Sequence, residues 1–365
     1  ADKANQLKNV IFQVQLGSLY QKSERLQKVA NSIVQQLDDV SLNEKKSIQR
    51  TAELCKTDLT TQMVIGFPSL QGTMGKYYAL ASGESNDVAQ AIEQHYRPIS
   101  AEGILPESRI GMVVSIADKM DTIVGYFGID ERPTSSQDPY SLRRQAIGVL
   151  RILRNYQLPI DLHSIIDHSV ESYLDNGIEL MGDTKVAVAD FLKGRFQVLL
   201  QDQGFAHDEV NATLSVLDTN HKFDVSDVEK RAKLIQVFRK RDDFDQVYSS
   251  LNRVLRILPN QPFSVSSQEI KSQLFQEEAE HKLGSLYLGF SKKMADLNEI
   301  GQYDKLLDNL AELAPAIDHF FDQVLIMTDD SEIKANRLAL LSEIADYVYA
   351  ICDLRELVIA PKSSS

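Results

Sequence analysis

The stretch Ser23-Glu-Arg-Leu-Gln-Lys-Val-Ala-Asn-Ser-Ile-Val-Gln-Gln-Leu37 carries the pattern that decides the fold class. Its apolar residues recur at steps of three and four positions, which places them on one stripe of an α-helix. The stripe consists of Leu26, Val29, Ala30, Ile33, Val34 and Leu37. We therefore predict an amphipathic helix here, with this stripe facing a core.

The same helical spacing recurs in the second half of the chain. The stripes there are Leu251, Val254, Leu255 and Leu258; Leu306, Leu310, Leu313, Ile317 and Phe320; and Leu341, Ile344, Val348 and Ile351. Alternating apolar and polar runs bounded by Asn-Gly or Asp-Gly turns, which would indicate β-hairpins, are not evident. The sequence therefore predicts an all-α fold.

Length and composition indicate a globular protein of two domains. The chain has 365 residues, of which 43% are hydrophobic and 25% charged. Domains usually span roughly 100–200 residues. Glycine and proline cluster in the first half, and longer helical segments follow Pro159. We therefore predict one domain over residues 1–158 and a second over residues 159–365, with connecting helices at its start.

The sequence also bears on the compartment. Its two cysteines, Cys55 and Cys352, lie far apart, which favours a reducing, cytoplasmic setting over a disulfide framework. No apolar run approaches the ~18 residues of a membrane span, and the N-terminus lacks the layout of a signal peptide. We expect no membrane partner. Because the chain begins at Ala1 without an initiator Met, we expect a piece of a longer protein.

The common catalytic signatures are not evident. The sequence has no Gly-x-x-x-x-Gly-Lys-[Ser/Thr] phosphate loop, no Gly-x-Ser-x-Gly elbow, no Gly-x-Gly-x-x-Gly and no His-Glu-x-x-His. The seven histidines are scattered singly, without the spacing of metal ligands. We therefore predict no catalytic residue and no metal site in this chain.

A set of distinctive motifs lies between Glu53 and Arg154. In order, they read Gly66-Phe-Pro-Ser-Leu-Gln-Gly-Thr-Met-Gly-Lys-Tyr-Tyr-Ala79, Ala91-Ile-Glu-Gln-His-Tyr-Arg-Pro98, Ile116-Ala-Asp-Lys-Met-Asp-Thr-Ile-Val-Gly125 and Asp138-Pro-Tyr-Ser-Leu-Arg-Arg-Gln-Ala-Ile-Gly-Val-Leu-Arg-Ile152. This set resembles the β subunit of the bacterial heterotetrameric glycyl-tRNA synthetase. The resemblance continues through Lys230-Arg-Ala-Lys-Leu-Ile-Gln-Val-Phe-Arg-Lys-Arg-Asp-Asp-Phe-Asp245 and Asn336-Arg-Leu-Ala-Leu-Leu341, and so covers nearly the whole chain.

The resemblance implies both an architecture and a role. It implies an HD-like helical domain followed by a helical, DALR-type anticodon-binding domain, together forming the C-terminal half of a longer subunit. The implied partners are tRNA(Gly) and the α subunit, in an α2β2 assembly. By the same resemblance, ATP and magnesium belong to the α subunit, where glycine is activated. This chain would then bind no cofactor, and by itself would not be catalytic.

The residues of an HD-type metal site look degenerate here. Such a site needs an early His, a His-Asp pair and a late Asp to hold a divalent cation. The pair reads Thr57-Asp58, and Arg25 stands at the early His position. The remaining candidates are His95, Asp118 and Asp121, which are also interpreted as a buried histidine and as carboxylates that cap or pair with neighbouring helices.

Two basic elements stand out in a chain of net charge −13. Residues 138–155 carry four Arg and one Asp, and residues 230–256 carry eight Lys or Arg against three Asp. Because Arg and Lys supply most of the sequence-independent affinity for nucleic acid, we expect these elements to face tRNA. The candidates are Arg143, Arg144, Arg151, Arg239, Arg241 and Arg337, although Arg337 could instead pair with Asp329 or Asp330. Phe244 is interpreted as a core residue, on a stripe with Phe238, Val247 and Leu251.

Two alternatives to tRNA binding remain open at this point. One is a metal-dependent phosphohydrolase of HD type acting on nucleotides, for which Asp58 and Asp118 would be ligands. The other is a helical interaction module whose basic elements bind only the α subunit. Metal titration would separate the first from the main hypothesis, and salt-dependent binding of tRNA(Gly) would separate the second.

Overall fold

The computed structural model describes residues 2–218, 222–258 and 270–359. It contains sixteen α-helices in these ranges, which confirms the all-α prediction. They are α1 (Asp2–Gln6), α2 (Leu19–Gln35), α3 (Leu42–Leu54), α4 (Gln62–Gly66), α5 (Thr73–Ala81), α6 (Asn86–Gln94), α7 (Arg109–Gly128), α8 (Leu142–Asn155), α9 (Leu162–Asp175), α10 (Thr184–Gln201), α11 (His207–Leu214), α12 (Val225–Phe238), α13 (Phe244–Ile257), α14 (Glu278–Glu299), α15 (Tyr303–Gln323) and α16 (Ser331–Ile351).

Two short strands and six short 3₁₀-helices complete the regular structure of the described ranges. Strand β1 (Ile11–Gln13) pairs antiparallel with β2 (Gly17–Ser18), directly before α2. Within the described part of the chain, no helix is both long and apolar enough to cross a lipid bilayer.

The described residues form two compact units. The first comprises residues 2–199 and 222–226, and the second comprises residues 200–218, 227–258 and 270–359. The division therefore lies near residue 199, whereas the sequence placed it between residues 158 and 159. The physical reason is α9, which packs against α2 and α7 and buries Tyr173 completely. The segment that follows Pro159 thus belongs to the first unit.

Helix α7 is the centre of the first unit. It is apolar on all sides and nearly every residue from Ile110 to Gly128 is buried, as expected for a helix surrounded by others. Helices α2, α3, α6, α8 and α9 all pack against it. Gly125 allows the close approach of α9, because a Cβ at this position would collide with the Tyr173 hydroxyl group.

Helix α2 contains the stretch that predicts the fold. It begins after a capping box in which Ser18 and Gln21 hydrogen-bond to each other's backbone N–H groups. The apolar stripe from Leu26 to Val34 is buried, which confirms the predicted orientation. The same buried face also carries Lys22 and Arg25, whose side chains are buried. Burial of two basic residues requires partners, and these define the centre of the first unit.

The second unit is built around α13, α14, α15 and α16. The three apolar stripes predicted for the second half are all buried in its core; for example, Leu251, Leu310 and Ile344 are fully enclosed. Asp330 caps α16 by accepting hydrogen bonds from the N–H groups of Glu332 and Ile333. The helical periodicity therefore predicted both the elements and their inward faces.

Candidate nucleic-acid interface and the buried charge network

Five charged side chains form a buried network in the first unit, which we call the charge network: Lys22, Arg25, Lys56, Asp118 and Asp121. Arg25 Nε lies 2.6 Å from Asp121 Oδ1, and Lys22 Nζ lies 2.8 Å from Asp121 Oδ2. Asp118 is bracketed by Lys22 Nζ at 3.1 Å and Lys56 Nζ at 2.7 Å. The network thus joins basic groups from α2 and from the segment after α3 to acidic groups from α7.

The network keeps both carboxyl groups ionised. Burial by itself raises the pKa of a carboxyl group, but Arg25 and Lys22 outweigh this effect and hold the pKa of Asp121 below its usual value. Burial likewise opposes ionisation of Asp118, and Lys56 and Lys22 lower its pKa. Next to the network, burial lowers the pKa of Lys119 to about 7. The two carboxylates of the network therefore stay negatively charged over the physiological pH range.

These residues do not fit a divalent cation. Arg25, at the early His position, donates to Asp121, so a guanidinium group occupies the place where a metal would need a ligand. His95 is buried, with Nε2 3.0 Å from Lys56 Nζ, and burial lowers its pKa. In the described ranges, no group of three or more His, Cys, Asp or Glu residues could hold a metal ion. A metal here would have to displace three cationic side chains.

The side chains of the predicted pair Thr57-Asp58 hydrogen-bond to backbone groups and not to the charge network. Asp58 Oδ2 accepts a hydrogen bond from the backbone N–H of Gly72 at 2.6 Å, and the Thr57 hydroxyl donates to the Leu54 carbonyl at 2.7 Å. Burial raises the pKa of Asp58, although the backbone N–H of Gly72, the charge of Lys56 and the backbone N–H of Gly75 oppose that shift. Asp58 therefore fixes the turn at Gly72. This residue must be glycine because a Cβ there would collide with the Tyr96 ring.

The predicted arginines of α8 differ in how their side chains are engaged. Arg143 donates to the carbonyl oxygens of Thr134 and Gln137, and Arg151 donates to those of Ala101 and Gly103. Arg144 is exposed and makes no hydrogen bond or ion pair with any residue the structure describes. Bonds to carbonyl groups leave the positive charge uncancelled, so all three still contribute to a positive surface.

The arginines of the second basic element are neutralised by acidic residues that lie elsewhere in the sequence. Arg239 forms ion pairs with Asp208 and Glu209 of α11. Arg241 pairs with Asp243 at 2.8 Å and with Asp308 of α15 at 2.6 Å. The local excess of basic residues is therefore largely compensated in the folded unit, and the exposed charge on this element includes Lys240, Arg256 and Lys230, which donates to the Gly301 carbonyl.

Arg337 requires a correction. Its side chain is only 5% exposed, and it forms a bidentate ion pair with the buried carboxylate of Glu280, with distances of 2.7 Å and 3.0 Å. Its third contact is the Leu325 carbonyl at 2.8 Å. The partner is thus neither Asp329 nor Asp330. Because this side chain is enclosed and saturated with hydrogen bonds, Arg337 links α14 to α16 and is not placed to contact an RNA.

Helix α13 presents a face that sequence reasoning missed. We call it the α13 face, formed by Phe244, Tyr248, Asn252 and Arg256. The Tyr248 ring stacks on the Phe244 ring with centroids 5.6 Å apart. Phe244 is half-buried and packs edge-on against the buried Phe238 ring, with centroids 4.9 Å apart. Asn252 Nδ2 donates to the Tyr248 hydroxyl at 3.3 Å, whereas its Oδ1 accepts no hydrogen bond from the described residues. The sequence signal for this face is that its members recur every four positions, which places them on one side of a helix.

The second unit is thus a helical domain with an aromatic, amide and arginine face, which is the kind of surface that binds single-stranded nucleic acid. A family model described as the DALR anticodon binding domain matches residues 247–354, which include most of this face. A second model, described as the glycyl-tRNA synthetase beta subunit, matches residues 1–215. The chain belongs to the glycyl-tRNA synthetase beta subunit family.

Several curated relatives agree with this assignment. The chain is 39% identical over 352 residues to a glycine-tRNA ligase beta subunit of Clostridioides difficile, with 96% of this chain and 50% of that protein covered. It is similarly 39% identical over 351 residues to the beta subunit of Colwellia psychrerythraea, covering 96% and 49%. For Moorella thermoacetica the identity is 36% over 361 residues, covering 98% and 51%. The chain spans about half the length of the curated relatives it matches.

Proposed function

We propose that this chain is the tRNA(Gly)-binding part of the beta subunit of glycyl-tRNA synthetase, a ligase. The observation that carries the proposal is the α13 face, most of which lies within the part of the chain matched by an anticodon-binding family. The chain would act by positioning, because correct geometry at the tRNA 3′ end lowers a barrier whose chemistry is supplied elsewhere. The active site for glycine and ATP, with its magnesium, would lie on the α subunit, in an α2β2 assembly.

The α13 face has the chemistry to read an unpaired base. Bases of single-stranded loops stack on aromatic rings and hydrogen-bond through their exposed edges. The half-exposed Tyr248 ring, supported from behind by Phe244, offers a stacking platform that is already ordered. Asn252 lies one turn further along, where its Nδ2 donates to the Tyr248 hydroxyl group at 3.3 Å and so helps to hold that ring in place. Arg256 follows another turn on, where it can contact a phosphate.

Helix α8 is the corresponding candidate in the first unit. Arg144 projects from it without an internal partner among the described residues, and Arg143 and Arg151 retain their charge beside it. Three arginines on one helix favour a phosphate backbone through counterion release. We propose that this helix contacts tRNA outside the anticodon loop.

The HD-type phosphohydrolase alternative has little support. The carboxylates that would hold its metal are paired with Lys22, Arg25 and Lys56 at 2.6–3.1 Å. No specific observation favours an interaction module that binds only the α subunit, although a subunit partner is part of the proposal. Arg239 and Arg241, predicted as base-reading or phosphate-binding residues, would contribute less than Arg256 because acidic neighbours already neutralise them.

We predict that Tyr248→Ala weakens the binding of tRNA(Gly) by about 10-fold or more, because losing one base–aromatic stack costs about 1–3 kcal/mol. Arg256→Ala should weaken binding several-fold and reduce the dependence of log Kd on log salt by about one phosphate contact. Binding is measured by fluorescence anisotropy of labelled tRNA(Gly) over a salt series. The matched control is Lys282→Ala, which removes an exposed charge from α14 and should leave the affinity within about twofold.

Two results would count against this proposal. One is unchanged affinity in both Tyr248→Ala and Arg256→Ala. The other is an equal loss for tRNA(Gly) and for a tRNA with an unrelated anticodon, since the α13 face would then not read the loop.

A further inference from the structure

A cleft of about 330 Å³ opens directly over the charge network in the first unit. Lys22, Lys56 and Asp118 of the network form part of its lining. The other lining residues are mostly aromatic or bear amide and hydroxyl groups: Phe12, Leu19, Leu59, Gln71, Tyr96, Thr122, Tyr126, Tyr140 and Gln145. The volume falls within the range of small-molecule sites, which combine apolar walls with a few polar groups.

The charge network carries more positive than negative charge. Three cations, Lys22, Arg25 and Lys56, make ion pairs with only two carboxylates, Asp118 and Asp121. The neighbouring Asp58 also interacts electrostatically with Lys56, but its Oδ2 accepts a hydrogen bond from the backbone N–H of Gly72 and it lines a different cavity. An anion that enters the cleft would lie beside the ammonium groups of Lys22 and Lys56, and their positive charges would stabilise it.

Tyr96 supplies an independent observation that points to a ligand. Its hydroxyl oxygen is buried, yet no described residue forms a hydrogen bond with it. Buried polar groups nearly always have a partner, so this hydroxyl group calls for one. The ring is fixed in place: Lys56 Nζ lies 4.2 Å from its centroid, the His95 ring lies 3.9 Å away, and Gly72 packs against its edge. The donor is therefore held in position before any ligand arrives.

The aromatic rings at the cleft indicate what the anion is attached to. Tyr126 and Tyr140 stack on each other with centroids 3.9 Å apart, and Phe12 packs edge-on against Tyr126 at 6.0 Å. Lys22 Nζ lies 4.5 Å above the Phe12 ring, so cation and ring share one wall. A planar base stacks favourably on such rings, whereas a bare inorganic ion would use none of them.

We propose that this cleft binds the phosphate group of a nucleotide, with Tyr96 Oη as hydrogen-bond donor, Lys22 and Lys56 as counter-charges, and the base against the rings of Phe12 and Tyr140. Neither the contacts nor the ligand class depends on the α13 face, so the inference stands apart from the proposed function. The same chemistry is offered by a free mononucleotide and by the unpaired 3′ end of an RNA. Only binding is proposed, with no bond made or broken.

The test compares AMP, adenosine and inorganic phosphate by isothermal titration calorimetry on the full chain. AMP should bind about 10-fold or more tightly than adenosine, because a hydrogen bond to a charged group and the lysine charges are lost without the phosphate. Tyr96→Phe removes only the hydroxyl group, which has no internal partner, so the fold should be intact while AMP binding weakens about 10-fold. The control is Tyr77→Phe, on an exposed tyrosine of the same unit, which should bind AMP as the parent does.

A second arm separates the two sources of the ligand. It uses an RNA hairpin with a short unpaired 3′ end and the matching blunt hairpin, each titrated into the parent chain and Tyr96→Phe. A Tyr96-dependent preference for the unpaired end would support the inference with RNA as the source, and Tyr96-dependent binding of AMP alone would support it with a free nucleotide. The inference would be overturned by unchanged binding of every probe in Tyr96→Phe, or by equal affinities for AMP and adenosine together with no Tyr96-dependent preference for the unpaired end.

Discussion

Asp121→Ala is expected to lower the free energy of unfolding of the first unit by about 3–5 kcal/mol. Asp121 is completely buried and accepts from Arg25 Nε at 2.6 Å and Lys22 Nζ at 2.8 Å. It also lies 3.3 Å from the Tyr173 hydroxyl group, which couples it to α9. Removal of the carboxylate would leave two cations enclosed with fewer acceptors, and the cost of an unpaired buried charge exceeds the usual worth of an ion pair.

Hydrogen exchange of peptides from α7, followed by mass spectrometry, measures this loss locally. The control is Asp175→Ala, which breaks the ion pair with Lys28 at 2.8 Å between side chains that are 61% and 47% exposed. An exposed pair of this kind contributes about 0–1 kcal/mol, so protection of α7 should hardly change. If Asp121→Ala and Asp175→Ala gave the same small effect, the charge network would not be the structural centre described above.

Arg337→Ala should destabilise the second unit by a similar amount, about 3–5 kcal/mol. The substitution leaves the buried carboxylate of Glu280 without its bidentate partner, although the backbone N–H groups of Gln276 and Glu277 still donate to it at 2.8 Å. The Leu325 carbonyl loses its donor as well. Exchange of peptides from α14 and α16 reports the effect, since the ion pair joins these two helices.

Glu332→Ala is the matched control on the same helix, because it breaks an exposed pair with Lys271 at 3.2 Å. Under conditions where Arg337→Ala remains folded, its affinity for tRNA(Gly) should equal that of the parent chain. A loss of affinity without a loss of protection in α14 or α16 would restore Arg337 as a tRNA contact and contradict its structural assignment.

Helical periodicity was sufficient to predict most of the fold. The stripe from Leu26 to Val34, and the stripes that contain Leu251, Leu310 and Ile344, are buried as predicted, because a spacing of three and four residues fixes one helix face. The position of the unit boundary was not predictable in this way. Tyr173 is enclosed only because Gly125 lets α9 approach α7, and such a contact between distant segments leaves no local pattern.

The candidate sites also depend on contacts between residues that are far apart in the sequence. Arg25 lies within a helix that reads as ordinary and amphipathic, but its partner Asp121 is 96 positions away. Arg241 looked like free positive charge until the fold placed Asp308 beside it, at a separation of 67 positions. Charge counted along the sequence therefore overestimated the basic surface. Tyr248 and Asn252 were overlooked because neither carries a charge or belongs to a motif.

Hydroxyl-radical footprinting of tRNA(Gly) on this chain, with and without the α subunit, tests tRNA recognition most directly. We predict protection of the anticodon loop by the chain alone, and loss of that protection in Tyr248→Ala under matched occupancy. Protection confined to other parts of the tRNA, or an unchanged loop footprint in Tyr248→Ala, would contradict the proposal that the α13 face binds the anticodon of tRNA(Gly).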